Sequence, residues 1–195
     1  KYSEVYEKYL NVHKNKKVKV LEIGVADGSS VKAWSSFFNN GKVIGIDIKD
    51  IDKKKLKIKT NNIDLFQGSQ SDYVFLNKLI NKYKNFDFII DDGSHYPKDV
   101  IKSFKFLFPY LKNGGIYFIE DTQTSYNHFF GGNPFDLKYS NSHMNFFKHL
   151  TDSLNHQEVA NPFYIKKKYD GKITNISFYH NMVFVRKGIN DLKSK

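Results

Sequence analysis

Short apolar runs alternate with stretches of helical spacing, and this alternation restricts the fold more than any other feature of the sequence. The apolar runs predict five strands, at residues 18–23, 42–47, 62–66, 86–90 and 116–120. Helices are expected between them at residues 29–38 and 72–83. A third helix is expected to begin at Pro97 and to end at Asn113-Gly114-Gly115. Strands that alternate with helices form a mostly parallel sheet covered on both faces. The chain is therefore predicted to be an α/β protein.

The last third of the chain has a different pattern. Residues 127–141 are rich in Asn, Gly and aromatic residues without a clear period, and we expect a long loop there. Residues 142–158 have helical spacing, and two extended runs follow at residues 173–178 and 182–186. These runs are joined by Tyr179-His180-Asn181, which predicts a hairpin that adds antiparallel strands to the sheet.

Composition excludes several classes of function. With 31 lysines and arginines against 20 aspartates and glutamates, the net charge of +11 invites a nucleic-acid partner. Arg186 is the one arginine, however, and arginine makes the bidentate contacts that specific readers of nucleic acids use. A nucleic-acid partner is therefore disfavoured. Cysteine is absent from the sequence, which excludes disulfides and thiolate metal sites.

Length and hydropathy indicate one soluble domain. A chain of 195 residues fits a single domain, taken as residues 1–195. Its apolar runs all fall short of the ~18 residues that span a membrane, so we expect a cytoplasmic protein without membrane contact. The sequence leaves the oligomeric state open, including a homo-oligomer.

The loop after the first strand carries the first chemical signal. Its sequence, Glu22-Ile23-Gly24-Val25-Ala26-Asp27-Gly28, lacks the glycine pattern of dinucleotide-binding folds and has no Lys-Ser/Thr phosphate cradle. Gly24 and Gly28 allow a ligand to approach the backbone closely, and Asp47, which ends the next strand, has a carboxylate suited to ribose hydroxyls. An acidic rim suits a cationic cofactor better than a pyrophosphate. A purely structural turn is the alternative.

This Glu-x-Gly-x-x-x-Gly motif, followed by an acid at the end of the next strand, resembles the first motif of S-adenosylmethionine-dependent methyltransferases with a Rossmann-like fold. The resemblance implies that Gly24 and Gly28 line the methionine part of the cofactor. It also implies that Asp47 binds the ribose hydroxyls and that Glu22 supports the loop. That fold has a mostly parallel seven-stranded sheet, to which a C-terminal antiparallel hairpin belongs.

Acidic residues end the fourth and fifth predicted strands. The fourth strand is followed by Asp91-Asp92-Gly93-Ser94-His95, and the fifth ends in Glu120-Asp121. Where these strands are neighbours, Asp92, Glu120 and Asp121 converge above the sheet, and unpaired carboxylates raise one another's pKa values. A hard divalent cation relieves this repulsion, and oxygen ligands favour magnesium, manganese or calcium over zinc. Helix capping or pairing with lysines is the alternative.

Three motifs around these acids resemble one branch of the methyltransferases. They are Asp-Asp-Gly-Ser-His at residues 91–95, Leu-Phe-Pro-x-Leu-Lys-x-Gly-Gly at 107–115 and Ile-Glu-Asp-x-x-Thr-Ser-Tyr at 119–126. The branch comprises the metal-dependent sugar O-methyltransferases of macrolide biosynthesis, with cephalosporin-hydroxylase-like and rhamnosyl O-methyltransferase relatives. The resemblance extends from about residue 2 to residue 187. It departs at residues 68–72, where serine stands in place of an acid common among relatives.

The resemblance assigns roles to the acidic residues and to one amide. The metal ion, magnesium or manganese, is expected to be bound by Asp92, Glu120 and Asp121. The cofactor, S-adenosylmethionine, is expected to lie with its sulfonium near Asp91 and its adenine near Gln70.

The implied reaction is methyl transfer to a hydroxyl of a sugar-containing small molecule. Such a hydroxyl is a poor nucleophile, and a histidine, whose pKa lies near neutrality, is suited to take its proton. His95, three residues after Asp92, is implied as that general base. A hydrogen bond at a helix start or a fourth metal ligand is the alternative role for His95. The loop at residues 127–141 lies where a substrate lid is expected.

Three other functions stay open on the sequence. They are a metal-dependent O-methyltransferase of a small phenol, a nucleic-acid methyltransferase that uses the positive surface, and a module that binds S-adenosylmethionine without turnover. The sequence also leaves open whether an acceptor sugar is nucleotide-linked, polymeric or part of a natural product.

Overall fold

The sheet has seven strands, as the sequence predicts. The structure is a computed structural model that describes residues 2–191 except 52, 55 and 59. The strands are β1 Lys19–Ile23, β2 Lys42–Asp47, β3 Ile63–Gln67, β4 Phe86–Asp91, β5 Leu111–Ile119, β6 Ile173–Tyr179 and β7 Met182–Lys187. Their order is β3-β2-β1-β4-β5-β7-β6. The first five strands are parallel, and β7 is antiparallel to both of its neighbours, which confirms the predicted architecture.

Five α-helices cover the sheet in the described part of the chain: α1 Tyr2–Leu10, α2 Ser29–Phe37, α3 Tyr73–Tyr83, α4 Pro97–Leu107 and α5 His143–Leu154. α1 lies outside the helices that the sequence predicts. Short 3₁₀ helices occur at Asn11–His13, Phe108–Tyr110, Thr122–Tyr126, His128–Phe130 and His156–Glu158. Among the helices described, none has the length and apolar character needed to cross a membrane.

Side chains that alternate along the strands build a core on each face of the sheet. One core packs against α1 and α2 and includes Val20, Phe88, Phe118 and Phe184. The other packs against α3, α4 and α5 and includes Leu21, Ile89, Tyr117 and Val185. All eight side chains are at most 1% exposed. Because neighbouring residues face opposite layers, the position of a residue at a strand end decides which layer it meets.

Two predicted helix ends are wrong. The helix from Pro97 ends at Leu107 instead of continuing to residues 113–115, because Pro109 has no N–H to continue it. Residues 113–115 lie instead within β5, where the register against β4 shifts. α5 ends at Leu154 rather than at residue 158, and the side chain of Asn155 donates a hydrogen bond to the carbonyl of Thr151 at this end.

The chain reverses its direction of travel across the sheet between β1 and β4. β1 pairs with β2 on one side and with β4 on the other, so the connections after β1 and β4 leave in opposite directions. Open α/β sheets bind ligands at the carboxyl ends of strands at such a switch point. The Asp92 N–H, just beyond β4, donates to the carbonyl of Ile23 at the end of β1 (3.0 Å). The candidate site lies above this junction.

Candidate active site

The loops after β1 and β4 are in close contact at Gly24. This residue has a left-handed backbone, with φ +90°, and a Cβ atom there would lie 2.0 Å from the carbonyl oxygen of Asp92. Only glycine fits this position, because any side chain would force the two strand ends apart. The predicted requirement for glycine at the first motif therefore has a structural cause.

A cleft of about 460 Å³ opens above the ends of these strands. It brings together six residues to which the sequence assigned the cofactor, the metal or the base: Gly24, Asp47, Gln70, Asp92, His95 and Asp121. Four aspartates contribute to its walls, at positions 47, 92, 99 and 121. We call it the acidic cleft. Two of the three predicted metal ligands thus share one cavity with the cofactor half of the predicted site, whereas Glu120 does not line it.

Asp47, at the end of β2, organises the glycine loop. Its Oδ2 atom accepts hydrogen bonds from the N–H groups of Val25 (2.9 Å) and Ala26 (3.0 Å), and Oδ1 accepts one from Lys49 N–H (2.8 Å). A carboxylate offers about four acceptor positions. The three bonds found in the described residues therefore leave capacity for a ligand hydroxyl, and ribose binding by Asp47 stays a prediction.

The three carboxylates predicted to bind metal lie close enough to perturb one another. Burial, followed by the charges of Glu120 and Asp121, raises the pKa of Asp92 to about 7. Burial likewise raises the pKa of Glu120. In the described residues, neither lysine nor arginine forms an ion pair with any of the three. A cation bound among them would relieve this repulsion, so the donor set fits a hard divalent ion.

The most compact group of metal-ligand atoms in this region combines two carboxylates with the histidine. Asp92, His95 and Asp121 each contribute one atom, and these atoms lie within 4.8 Å of one another. The Nε2 atom of His95 is 3.8 Å from Asp92 Oδ1 and 3.7 Å from Asp121 Oδ2. Glu120 lies outside this group. The geometry is therefore compatible with His95 as a general base and with His95 as a metal ligand.

The backbone at His95 is left-handed, which is unusual for a residue with a side chain. Its φ is 58°, and φ of Asp121 is 51°. Such conformations cost about 1–3 kcal/mol each and concentrate at functional sites. The His95 carbonyl accepts a hydrogen bond from Thr124 Oγ1 (2.8 Å), which ties the two loops together. Burial lowers the pKa of His95, and the charge of Asp121 opposes this shift without reversing it. The lowered pKa favours the neutral ring, in which one nitrogen is able to accept a proton.

α1 supplies two hydroxyl groups to the acidic residues, and the sequence analysis missed both. Tyr6 Oη donates to Glu120 Oε1 (2.5 Å), and Tyr2 Oη donates to Asp121 Oδ1 (2.9 Å). Hydrogen bonds from residues that do not bind a metal themselves orient the carboxylates that do. The available signal was the spacing of Tyr2, Tyr6 and Tyr9, which places three tyrosines on one helical face.

Asp91, predicted to lie beside the cofactor, does not line the acidic cleft, and its contact with the cofactor stays a prediction. Asp91 is 1% exposed, and its carboxylate accepts hydrogen bonds from Ser103 Oγ (2.5 Å), Tyr117 Oη (2.9 Å) and Gln70 Nε2 (3.0 Å). Alternation along β4 turns Asp91 toward α4 and the interior. Its effect on the acidic cleft is indirect: it fixes Gln70, whose Oε1 accepts a hydrogen bond from Ser94 N–H (2.7 Å).

Glu22 and Gly28 also lie away from the lining of the acidic cleft. Glu22 is 1% exposed, its Oε1 accepts a hydrogen bond from Trp34 Nε1 (3.2 Å), and burial raises its pKa to about 8. This places Glu22 as a support between β1 and α2. Gly28 precedes α2 with φ +78°, and a Cβ atom there would meet Leu56 Cδ1 at 3.1 Å. Gly28 thus forms the turn that starts α2, and its contact with the cofactor stays a prediction.

The sequence matches known proteins over most of its length. Residues 21–122 match the family described as methyltransferase domain. Over 194 residues the chain is 38% identical to mycinamicin VI 2''-O-methyltransferase of Micromonospora griseorubida, covering 95% of this chain and 48% of that protein. It is 34% identical over 200 residues to 8-demethyl-8-alpha-L-rhamnosyl tetracenomycin-C 2'-O-methyltransferase of Streptomyces olivaceus, covering 97% and 50%. The chain spans about half the length of these curated relatives.

The fold matches a solved structure equally well. The MycE methyltransferase from the mycinamycin biosynthetic pathway, in complex with Mg, SAH and mycinamycin VI, superimposes with a TM-score of 0.90 at 36% identity. The match covers 97% of this chain and 49% of that one. This confirms the Rossmann-like architecture expected from the sequence.

Proposed function

Because the chain belongs to the methyltransferase-domain family, we propose that it transfers a methyl group from S-adenosylmethionine to a sugar hydroxyl with the help of a divalent metal ion. The observation that carries this proposal is the acidic cleft, which joins the glycine loop and Asp47 to Asp92, His95 and Asp121. The relatives support it, because both are named as O-methyltransferases and one name includes a rhamnosyl group.

The cofactor end of the proposed site is the β1–β2 side of the acidic cleft. Gly24 lets the cofactor approach the backbone, and the acceptor capacity left on Asp47 serves a ribose hydroxyl. Gln70, fixed by Asp91, belongs to the wall proposed for the adenine. When bound, S-adenosylmethionine supplies an electrophilic methyl carbon on a sulfonium.

The metal end of the proposed site is the β4–β5 side. Asp92, Glu120 and Asp121 would hold magnesium or manganese, since these are oxygen donors without a paired cation. Tyr6 and Tyr2 orient the last two of these carboxylates through their hydrogen bonds. When bound, the ion supplies positive charge that makes a hydroxyl easier to deprotonate.

His95 is proposed to take the hydroxyl proton. Burial keeps its ring neutral near pH 7, so a ring nitrogen can accept the proton as the hydroxyl oxygen bonds to the methyl carbon. The carbon–sulfur bond breaks in the same displacement, and its electron pair stays on sulfur. The charges of Asp92 and Asp121, 3.8 and 3.7 Å from His95 Nε2, then stabilise the imidazolium.

Metal removal tests the proposal. Methyl transfer from labelled S-adenosylmethionine to a panel of sugars is expected to stop in excess EDTA and to return with magnesium or manganese. Calorimetry should show that S-adenosylhomocysteine binds with affinity within about twofold in both conditions, because Gly24 and Asp47 lie outside the metal group. Manganese binding by the Asp92→Asn variant is expected to be lost.

The matched control is Asp99→Asn, which removes another acid from the wall of the same cleft. It should bind manganese as the wild type does, because the Asp99 carboxylate accepts a hydrogen bond from Ser94 Oγ and lies outside the metal group. Full activity in excess EDTA, or equal loss of manganese in both variants, would contradict the metal assignment.

A further inference from the structure

A second cleft, of about 660 Å³, opens beside residues 95–97. Three lysines of α4 line it, at positions 98, 102 and 105. Its aromatic lining comes from the segment before α4, the loop at residues 127–141 and α5, and consists of Tyr96, Phe130, Tyr139 and Phe146. We call it the basic cleft. The proposed methyl-transfer chemistry makes no use of it.

The lysines give the lining of the basic cleft a positive charge. Within the described ranges, none of Lys98, Lys102 and Lys105 forms an ion pair, and the lining contains neither aspartate nor glutamate. Their spacing of four and three residues places them on one side of α4, over roughly 10 Å of helix. Unpaired cations that line one cavity favour an anionic ligand, and lysine is a common phosphate-binding residue.

The aromatic residues offer surfaces of a different kind. Tyr96 is 48% exposed, and its ring centroid is 5.5 Å from that of Phe130. The Nζ atom of Lys105 lies 5.4 Å from the ring centroid of Phe146, at the far end of the lysine row. Exposed aromatic faces bind nucleobases by stacking. The basic cleft thus combines groups for a phosphate with groups for a base.

Adjacent residues line the two clefts, since His95 lines the acidic cleft and Tyr96 the basic cleft. A sugar held at His95 can therefore have its anomeric substituent in the basic cleft. We propose that the basic cleft binds the nucleoside diphosphate to which the acceptor sugar is attached. The substrate of this chain is then a nucleotide-linked sugar, an inference that rests on the proposed methyl transfer to a sugar.

The dimensions favour this ligand over a nucleic acid. A volume of about 660 Å³ lies within the ~300–1,000 Å³ of small-molecule pockets. Surfaces for single-stranded nucleic acids are longer grooves that follow about 4–16 nucleotides. Three lysines over roughly 10 Å match one diphosphate and its nucleoside.

Calorimetry on the whole chain tests the inference without any turnover. Uridine, guanosine, adenosine and thymidine diphosphates, inorganic pyrophosphate and a 20-nucleotide RNA are titrated in excess EDTA, so that metal-bound diphosphate does not occupy the acidic cleft. One nucleoside diphosphate should bind about tenfold more tightly than pyrophosphate, because a stacked base adds affinity. The Lys98→Ala/Lys102→Ala variant should weaken that binding about tenfold or more.

The matched control is Lys78→Ala/Lys148→Ala, which removes the same charge from exposed lysines on α3 and α5 that are outside the cleft. It should bind the nucleoside diphosphate within about twofold of the wild type, and both variants should bind S-adenosylhomocysteine normally if they fold. The inference is overturned if no nucleoside diphosphate binds, if both lysine variants behave alike, or if pyrophosphate or RNA binds more tightly through Lys98 and Lys102.

Failure of the inference about nucleotide binding can be distinguished from failure of the proposed methyl transfer. Metal-dependent methylation of a sugar without phosphate, together with absent nucleotide binding, would refute the nucleotide-linked substrate and leave methyl transfer intact. Nucleotide binding that depends on the lysines, with no metal-dependent methyl transfer to any nucleotide-linked sugar, would refute the proposed methyl transfer.

Discussion

The acidic cleft, lined by His95, and the basic cleft, lined by Tyr96 and Pro97, are built in different ways. The acidic cleft stands on strand ends, where Gly24 touches the backbone of Asp92 and the carboxylates are partly buried. The basic cleft stands on the outer side chains of α4 and on a loop, with Lys98 and Lys105 exposed. Strand ends fix the positions of reacting groups, whereas exposed side chains on helices and loops adapt to a ligand. The difference separates the proposed chemistry from the proposed recognition of the substrate.

Replacement of His95, which lines the acidic cleft and precedes Tyr96 of the basic cleft, tests this division most strongly. His95→Ala should lower the methyl-transfer rate by about 10²–10⁴-fold, the usual contribution of a positioned base, and higher pH should restore part of it. Manganese, S-adenosylhomocysteine and nucleotide affinities should stay near wild type in calorimetry.

A histidine on the exposed side of α5 supplies the control for this experiment. His149→Ala should keep the full rate. Loss of manganese in His95→Ala would identify His95 as a metal ligand, the alternative that its distance from Asp92 and Asp121 permits. Unchanged rate would exclude His95 as the base.

A second test concerns the contribution of α1 to the acidic side alone. Tyr6→Phe removes the hydroxyl that donates to Glu120, and substitutions of this kind typically weaken metal binding by about 10–100-fold. Manganese titration measures the change in metal affinity, and the affinity for a nucleoside diphosphate should stay the same. Tyr9→Phe on the same helix, where the hydroxyl bonds Ser177 and Tyr179, should leave manganese affinity unchanged. Equal effects of both substitutions would mean that α1 merely anchors the fold.

The smallest expected effect concerns the cofactor end of the acidic cleft. Asp47→Asn keeps the size of the side chain but removes its charge, so S-adenosylhomocysteine should bind about tenfold more weakly by calorimetry. Asp27→Asn changes another acid of the same loop, which bonds Ser29 and does not line the cleft, and should have no such effect. An unaltered affinity in Asp47→Asn would remove Asp47 from the cofactor site.

Strand patterning made much of this site accessible from the sequence. An acid placed directly after a buried strand must emerge at the carboxyl edge of the sheet, and Asp92 does so. The same alternation accounts for the burial of Asp91, which follows Ile90 on β4 and therefore faces the interior beside Ser103. The resemblance assigns Asp91 to the cofactor and Asp92 to the metal, and the pleat of the strand sends the two side chains to opposite environments.

Other parts of the site depend on contacts that local patterns do not specify. The spacing of Tyr2, Tyr6 and Tyr9 indicates a shared helical face, but it does not indicate that Tyr2 and Tyr6 meet carboxylates more than a hundred positions later. The basic cleft is equally nonlocal, since Lys98 and Phe146 come from separate helices. Only the packing of α4 against α5 and the loop shows that three lysines of α4 share a cavity.

The hydrogen bonds of α1 also set a time at which the acidic cleft can be completed during protein synthesis. Tyr9 bonds Ser177 and Tyr179, which are 168 and 170 positions further along the chain. At about 5–20 residues per second, a ribosome needs roughly 10–30 s to add that stretch. Throughout this interval the nascent α1 lacks the hairpin that receives it. The tyrosines that bond Glu120 and Asp121 therefore gain the support of the hairpin only after residue 179 has been added.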